Sequence, residues 1–417
     1  MRNESRPVLR YNTSDFMRNN NEKLNIICFS NQLWDFPLWT NKRHVMSRLG
    51  KRGHRVLFVD PPINTGRLFF KQLREKKWPL QRLFSWIYKG QENVLVFSPL
   101  RFVPANKYLT KLFCNRISGV VKKHFSINNK TVLWVYNVEI ENIDLILSNI
   151  KYDILIYDCV DNYPAFPRYD TAEKKNHIIM QEDFLARKAD LVFGTAPGLV
   201  NKLLPLNENT FYTPNVGDYE SFSKVKNDNN GIPEDMVSIP KPRIGFTGAV
   251  DDYKFDVTLV KNIASDYPSY SFVIIGPMAL KDREASAREL GLDKLNNVYF
   301  LGSRDYSLMP CYYNGFDVMM IPYKLNDYTV GGCFPVKFHE SLAAGLPVVV
   351  TDLPAYRPFG NVCYISKSDN EFSQNIRRAL EEDSPSRRNE RRSVAKENSW
   401  EGKVDRMLEL IWKALKN

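Results

Sequence analysis

The 417 residues include six cysteines and five histidines, and neither set is arranged for metal or disulfide chemistry. No cysteines form a C-x-x-C pair and no histidines share ligand spacing, which leaves neither a disulfide framework nor a zinc site to expect. The cysteines are expected to be reduced thiols in a cytosolic protein. No apolar run nears the roughly 20 residues of a membrane-spanning helix, and the N-terminus lacks the apolar core of a signal peptide. No nucleic-acid module, internal repeat or long low-complexity tract is recognisable. The first strand-loop-helix unit has no G-x-G-x-x-G, which argues against a dinucleotide-binding dehydrogenase.

What is present is ordinary globular composition, 43% hydrophobic and 25% charged, with a net charge of +11. That positive balance suits an anionic membrane surface or polyanionic substrates. Short apolar runs at Leu24–Phe29, Arg55–Asp60, Val94–Ser98, Thr131–Val135, Asp153–Asp158 and Leu191–Phe193 alternate with helical stretches and predict a mostly parallel α/β domain. A second set begins at Arg243–Gly248 and continues through Tyr270–Ile275, Val298–Leu301 and Asp317–Ile321. Helices are expected over Ala105–His124, Thr171–Lys188, Asp256–Asp266, Arg283–Leu290 and Trp400–Lys416, among others. The resulting organisation is a flexible arm (1–22), a first domain (23–218), a linker (219–241), a second domain (242–396) and a terminal helix (397–417).

Residues 66–90 interleave Phe69, Phe70, Trp78, Phe84 and Trp86 with Arg67, Lys71, Arg74, Lys76, Lys77, Arg82 and Lys89. Two short helices broken at Pro79 are expected there, either docked on an anionic membrane or packed on their own domain. The loop after the first strand carries Asn31, Trp34, Trp39 and, at the helix start, Arg43. Ligands of open α/β sheets bind beyond strand carboxyl ends, so these four are acceptor-binding candidates, the tryptophans serving as sugar platforms or as a hydrophobic lid. Asp158 and Asp161 leave a first-domain strand in the same direction. Asp161, further into the loop, is the preferred general base, the alternative being a backbone cap; His44 and His177 are further candidates.

The densest signal is Gly331-Gly332-Cys333-Phe334-Pro335-Val336-Lys337-Phe338-His339-Glu340 and the run that follows to Asp352. It predicts a glycine loop, a helix with Pro335 at its first position and Gly345 just past its end, then a buried strand. Free amides there, together with the helix dipole, suit an anionic group, although a helix capped only for stability reads the same way. Lys337 and Glu340 share a helix face, one a phosphate partner and the other an acceptor for hydroxyls.

The pattern Pro335-x-Lys337-x-x-Glu340-x-Leu342-Ala343-x-Gly345-x-Pro347-Val348-Val349-x-Thr351 resembles the nucleotide-sugar motif of GT-B glycosyltransferases of the broad family 4 or group 1 class. Phe211–Asp218 resembles the strip where such chains cross to the second domain, with Val216 and Gly217 in swapped order. The resemblance implies the GT-B fold: two Rossmann-like domains facing a central cleft, with a C-terminal helix crossing back to the first. It also implies that Glu340 binds ribose hydroxyls, and that Val330, Gly331, Gly332 and Pro335 frame the diphosphate and sugar. Gly248 and Lys254 would grip the diphosphate, Lys254 and Lys337 stabilising the leaving group. Arg304 would follow the strand that cradles the base, and Tyr323 and Asn326 would touch the donor sugar. In two departures, Ala249 stands where an arginine is expected and Gly332 where a first glutamate would precede Glu340, which leaves a retaining or inverting outcome open. The implied activity is metal-independent, cofactor-free transfer of a sugar, UDP-linked, to a lipid-borne or polysaccharide acceptor at the cytoplasmic membrane face. The nearest resemblance is to bacterial surface-polysaccharide enzymes of teichuronic-acid type. A nucleotide-sugar 2-epimerase and a non-catalytic sugar-binding scaffold are the alternatives on the same fold.

Overall fold

The computed structural model describes residues 22–36, 38–61, 63–64, 87–101, 106–224, 231–280, 283–284 and 286–416. The expected arm, apart from Glu22, and residues 66–86 of the basic aromatic segment lie outside the described residues. Its last residues, expected to be helical, begin an edge strand instead.

Eight strands form the first sheet: β1 (Asn25–Phe29), β2 (Arg55–Val59), β3 (Ile87–Gln91), β4 (Val94–Phe97), β5 (Thr131–Val135), β6 (Ile154–Cys159), β7 (Leu191–Gly194) and β8 (Thr210–Tyr212), in the order β8-β7-β6-β5-β1-β2-β4-β3. Every pairing is parallel except β3 with β4. The central strands read as unbroken apolar runs because both faces are covered, and β1, β5 and β6 are buried almost throughout. The chain moves from β1 to β2 on one side and later returns to β5 on the other. The loops after β1 and β5 therefore part and open a crevice at the strand carboxyl ends.

The second sheet has six parallel strands: β9 (Arg243–Thr247), β10 (Ser271–Ile275), β11 (Val298–Gly302), β12 (Val318–Ile321), β13 (Val348–Thr351) and β14 (Tyr364–Ser366), in the order β11-β10-β9-β12-β13-β14. Within the stretch read as a linker, Phe222, Met236 and Ile239 are buried in the core of this second sheet. The helix expected over Arg283–Leu290 is absent among the described residues. Ala279–Leu280 pairs antiparallel with Arg283–Glu284, and the reciprocal bonds between Ser286 and Glu289 cap a turn that ends at Gly291, where φ of +67° leaves the helical region.

Seven helices position the cleft or close it: α1 (Asn41–Lys51), α2 (Lys107–His124), α3 (Ala172–Lys188), α4 (Pro197–Leu203), α5 (Asp327–Gly332), α6 (Val336–Ala344) and α7 (Trp400–Lys416). Helix α7 returns from the second sheet and buries Val404, Met407, Leu408 and Ile411 in the same core as Leu24 of the first domain and Val45 and Leu49 of α1. The chain thus crosses between the sheets twice, and the crossings touch: Gly217 and Asn398 share a backbone bond of 3.2 Å, and Lys403 Nζ donates to the carbonyls of Thr213 (2.8 Å) and Pro214 (3.0 Å).

Candidate active site between the two sheets

The motif helix α6 forms as its punctuation requires, one residue later than expected. Pro335 is the cap residue rather than the first helical one, and Gly345 closes the helix at φ +82°, a left-handed conformation that favours glycine. The glycine loop is a larger correction. Gly331 and Gly332 form the last turn of α5, a helix started by a reciprocal cap between Asn326 and Thr329. The amides of Val330 and Cys333 are spent on the carbonyls of Asn326 and Thr329. A row of free loop amides waiting for a diphosphate is therefore not what these residues provide.

What the glycines provide is close approach to the first domain. A Cβ on Gly332 would lie 2.8 Å from the Asn162 amide nitrogen, and one on Gly331 would lie 2.9 Å from its side-chain nitrogen. On the facing helix α4, a Cβ on Gly198 would be 2.2 Å from the Gly331 carbonyl oxygen. The first domain's backbone thus fills the space that any side chain at 332 would need. Asn162 Nδ2 also donates to the Asp327 carbonyl at 3.2 Å.

Glu340 is 5% exposed and accepts a 2.5 Å hydrogen bond from the Tyr306 hydroxyl. Burial pushes its pKa up to about 7, opposed by the phenol. Tyr306 stacks on Trp39, with centroids 5.4 Å apart and planes at 15°, and Arg43 lies 4.2 Å over the other ring of that pair. Trp39 and Arg43 of the first domain therefore reach the carboxylate of the second through one phenol. Trp34 does not: it is core, edge-on to Phe58, with its amide donating to Asp60. Asn31 donates to the Tyr163 hydroxyl at 3.1 Å, and its carbonyl oxygen has no hydrogen-bond partner among the described residues.

One turn earlier on α6, Lys337 is partly buried. Its Nζ donates to the Tyr323 hydroxyl (3.0 Å) and lies 4.0 Å from the Phe246 ring centroid. Burial, reinforced by the like charge of Lys254, brings its pKa down to about 7. Gly248, at φ +123°, makes room for it, because a Cβ there would sit 2.6 Å from Nζ. Lys254 Nζ pairs with Asp251 at 2.5 Å. Burial opposes its charge, but the Tyr323 phenol and the Asp251 carboxylate outweigh that and raise its pKa.

From the first domain, Asp161 faces this group. It is held by a 2.9 Å bond from the Tyr328 hydroxyl of α5, and burial raises its pKa against the pull of Lys42, Tyr328, Lys254 and Arg168. Below it Asp158 is fully buried, takes the Trp134 indole N–H at 3.2 Å, and leaves Oδ1 without a partner among the described residues. His44 Nε2 is likewise unpartnered among the described residues; its ring stacks on Trp400, and burial beside Arg48 and Arg43 lowers its pKa well below the usual value. His177 is on α3, bonded to Gln181 on an exposed face.

Several sequence-selected residues thus converge: Asp161, Lys254, Gly248, Tyr323, Lys337, Glu340 and, through Tyr306, Trp39 and Arg43. Others have structural duties. Asn326 caps α5 and donates to the Tyr253 carbonyl, Pro335 caps α6, and Arg304 is committed to Asp235 (2.7 Å) and the Tyr312 hydroxyl (2.8 Å). Sequence reasoning passed over Lys42, Tyr306, Tyr328 and Asp251. Asp251, three residues before Lys254, carried the one local signal; the other three matter through partners remote in sequence, Asp161 for Lys42 and Tyr328, Glu340 and Trp39 for Tyr306.

Residues 241–382 match the family model described as Glycosyl transferases group 1. Over 225 residues, 51% of this chain, the sequence is 30% identical to TuaH of Bacillus subtilis (strain 168), a protein whose name places it among teichuronic acid biosynthesis glycosyltransferases. The match spans 53% of that relative's length. Among solved structures, sucrose-phosphate synthase from Thermosynechococcus elongatus aligns with 94% of this chain and 99% of its own at TM-score 0.64 and 14% identity. Anabaena HepE in complex with UDP-glucose aligns with 94% and 100% at TM-score 0.61 and 14% identity. Residues 241–382 are thus similar to the group 1 glycosyl transferases, and the chain as a whole has the GT-B fold.

Proposed function

We propose that this protein is a glycosyltransferase that moves a sugar from a nucleoside-diphosphate donor, UDP-linked, to a lipid-linked or polysaccharide acceptor of bacterial cell-surface polysaccharide synthesis. The observation that carries this reading is the facing of two partly buried lysines of the second domain, Lys254 and Lys337, by the partly buried Asp161 carboxylate of the first. The lysines offset the charge that develops on the departing diphosphate. Asp161 takes the proton of the acceptor hydroxyl as its oxygen bonds the anomeric carbon and the bond from that carbon to the phosphate oxygen breaks. Glu340, released from Tyr306, accepts the ribose hydroxyls. The names of TuaH and of the UDP-glucose complex support the choice of acceptor class and nucleotide.

The same reading puts the protein at the inner face of the membrane. No helix among the described residues is long and apolar enough to cross a bilayer, so contact would be peripheral, through residues 66–90. Helix α2 supports it: this helix carries Lys107, Lys111, Arg116, Lys122 and Lys123 and no acidic residue, and exposes Tyr108 (85%) and Leu112 (51%).

A thermal-shift screen of UDP-, GDP-, ADP- and dTDP-sugars tests the donor, since a ligand of the folded state raises the melting temperature. Stabilisation by UDP-sugars alone is expected; none by any nucleotide sugar refutes the reading. Should Asp161→Asn retain near-full transfer, the base is elsewhere.

A further inference from the structure

We propose that α5 is a latch that assembles the reactive centre on domain closure, with Tyr328 the residue that positions Asp161. The inference rests on the reading of Asp161 as base.

Helix α5 is a part of the second domain that touches the Asp161 loop, and three of its features serve that contact. Tyr328 delivers its hydroxyl to Asp161 Oδ1 at 2.9 Å. The ring is wedged between Phe166 of the first domain (centroids 5.0 Å) and Tyr253 of the second (5.2 Å, planes at 81°), so its direction is fixed from both sides. Gly331 and Gly332 let the last turn of the helix meet Asn162 and Gly198 backbone to backbone.

The other end of α5 is tied to the lysines. The amide of Lys324 donates to the Lys254 carbonyl at 2.8 Å, its Nζ donates to the Asp252 carbonyl at 2.8 Å, and Asn326 Nδ2 donates to the Tyr253 carbonyl at 2.6 Å. Tyr323, one residue before Lys324, holds Lys337. One short segment, 323–332, therefore carries contacts from the anion-binding lysines to the carboxylate that would take the proton. When the domains part, Asp161 loses the hydrogen bond that Tyr328 donates from the second domain, and when they close around a diphosphate it regains it.

The sign of the effect follows from the groups around Asp161: Lys42 of α1, Arg168 and Tyr163 of its own segment, Lys254 and Tyr253 after β9, Cys333 past α5, and Tyr328. A phenol donating to the carboxylate favours its charged form. Removing the hydroxyl raises the pKa of the base and moves the acidic limb of the rate profile to higher pH.

The test uses the full-length protein and the variants Tyr328→Phe, Gly332→Ala and Asp161→Asn. UDP affinity is read by calorimetry, folding by thermal melt, and kcat for transfer across pH. Tyr328→Phe keeps the ring and is expected to leave UDP affinity within about twofold, lower kcat about tenfold and shift the acidic limb upward. Gly332→Ala, which sets a methyl group against Asn162, should reproduce that signature with Tyr328 intact. If Tyr328→Phe leaves kcat and the limb unchanged while Asp161→Asn is inactive, the latch is wrong and the base stands. If Asp161→Asn transfers normally, the base reading falls and the positioning role falls with it.

Discussion

Glu340 and Lys337 sit three residues apart on one helix, the first buried and the second partly so, with pKa values displaced in opposite directions to about 7. For Glu340, raised from 4.5, the folded protein holds a proton that the unfolded chain gives up, so its stabilising contribution is full below 4.5 and is lost as pH rises through about 7. For Lys337, lowered from 10.5, the contribution is full above 10.5 and is lost as pH falls through about 7. Near neutrality both groups cost stability, as expected of a site whose charges await a ligand. Glu340→Gln should therefore raise the melting temperature at pH 8 while weakening UDP binding in calorimetry by about tenfold or more. UDP binding should take up about one proton at pH 8 as Lys337 charges against the diphosphate, and uptake should vanish in Lys337→Met; buffers of different ionisation enthalpy read this directly.

At the level of elements, the strands and the motif helix were legible because their signals are local: apolar runs, a proline and a glycine bracketing nine residues. Which tryptophan of the β1 loop points where was not, since Trp34 and Trp39 share a loop and are sorted only by tertiary partners, Phe58 for one and Tyr306 for the other. Trp34→Ala should cost about 3–5 kcal/mol of stability by emptying core volume, measured by urea unfolding. Trp39→Ala should leave stability nearly intact and lower transfer. The reading of Gly331-Gly332 failed for a related reason. Their amides are available only if the backbone is a loop, and Asn326-x-x-Thr329, a capping signal already present in the sequence, starts a helix that consumes the amides after it. Helix α2 makes its own prediction: vesicles of anionic lipid should sediment the protein at low salt, and Lys107→Glu with Lys111→Glu should reduce the bound fraction severalfold. Unchanged sedimentation of that variant would remove α2 from the membrane face.

At the scale of the whole molecule, two sheets built on one plan meet across a cleft whose chemistry neither holds alone. On the proposed reading, the second supplies the lysines and Glu340, and the first supplies Asp161, Trp39 and Arg43. The division between the sheets could be read from the order of strands, whereas the pairing of Tyr306 with Trp39 and of Tyr328 with Asp161 could not, because each joins residues remote in sequence. Lys403 belongs to this scale as well. Its ammonium serves two carbonyls at the crossing, and Lys403→Met, which orphans both, should cost about 2–4 kcal/mol of stability, checked by thermal or urea unfolding.

The two touching crossings act as the paired knuckles of a door. A single strand would let the halves twist and slide, but two strands bound side by side leave one easy motion, a swing about the line that joins them. On the proposed reading, both substrates enter and both products leave by the mouth opposite that line, and the frequency of the swing sets a ceiling on turnover that no change to the reacting groups can lift.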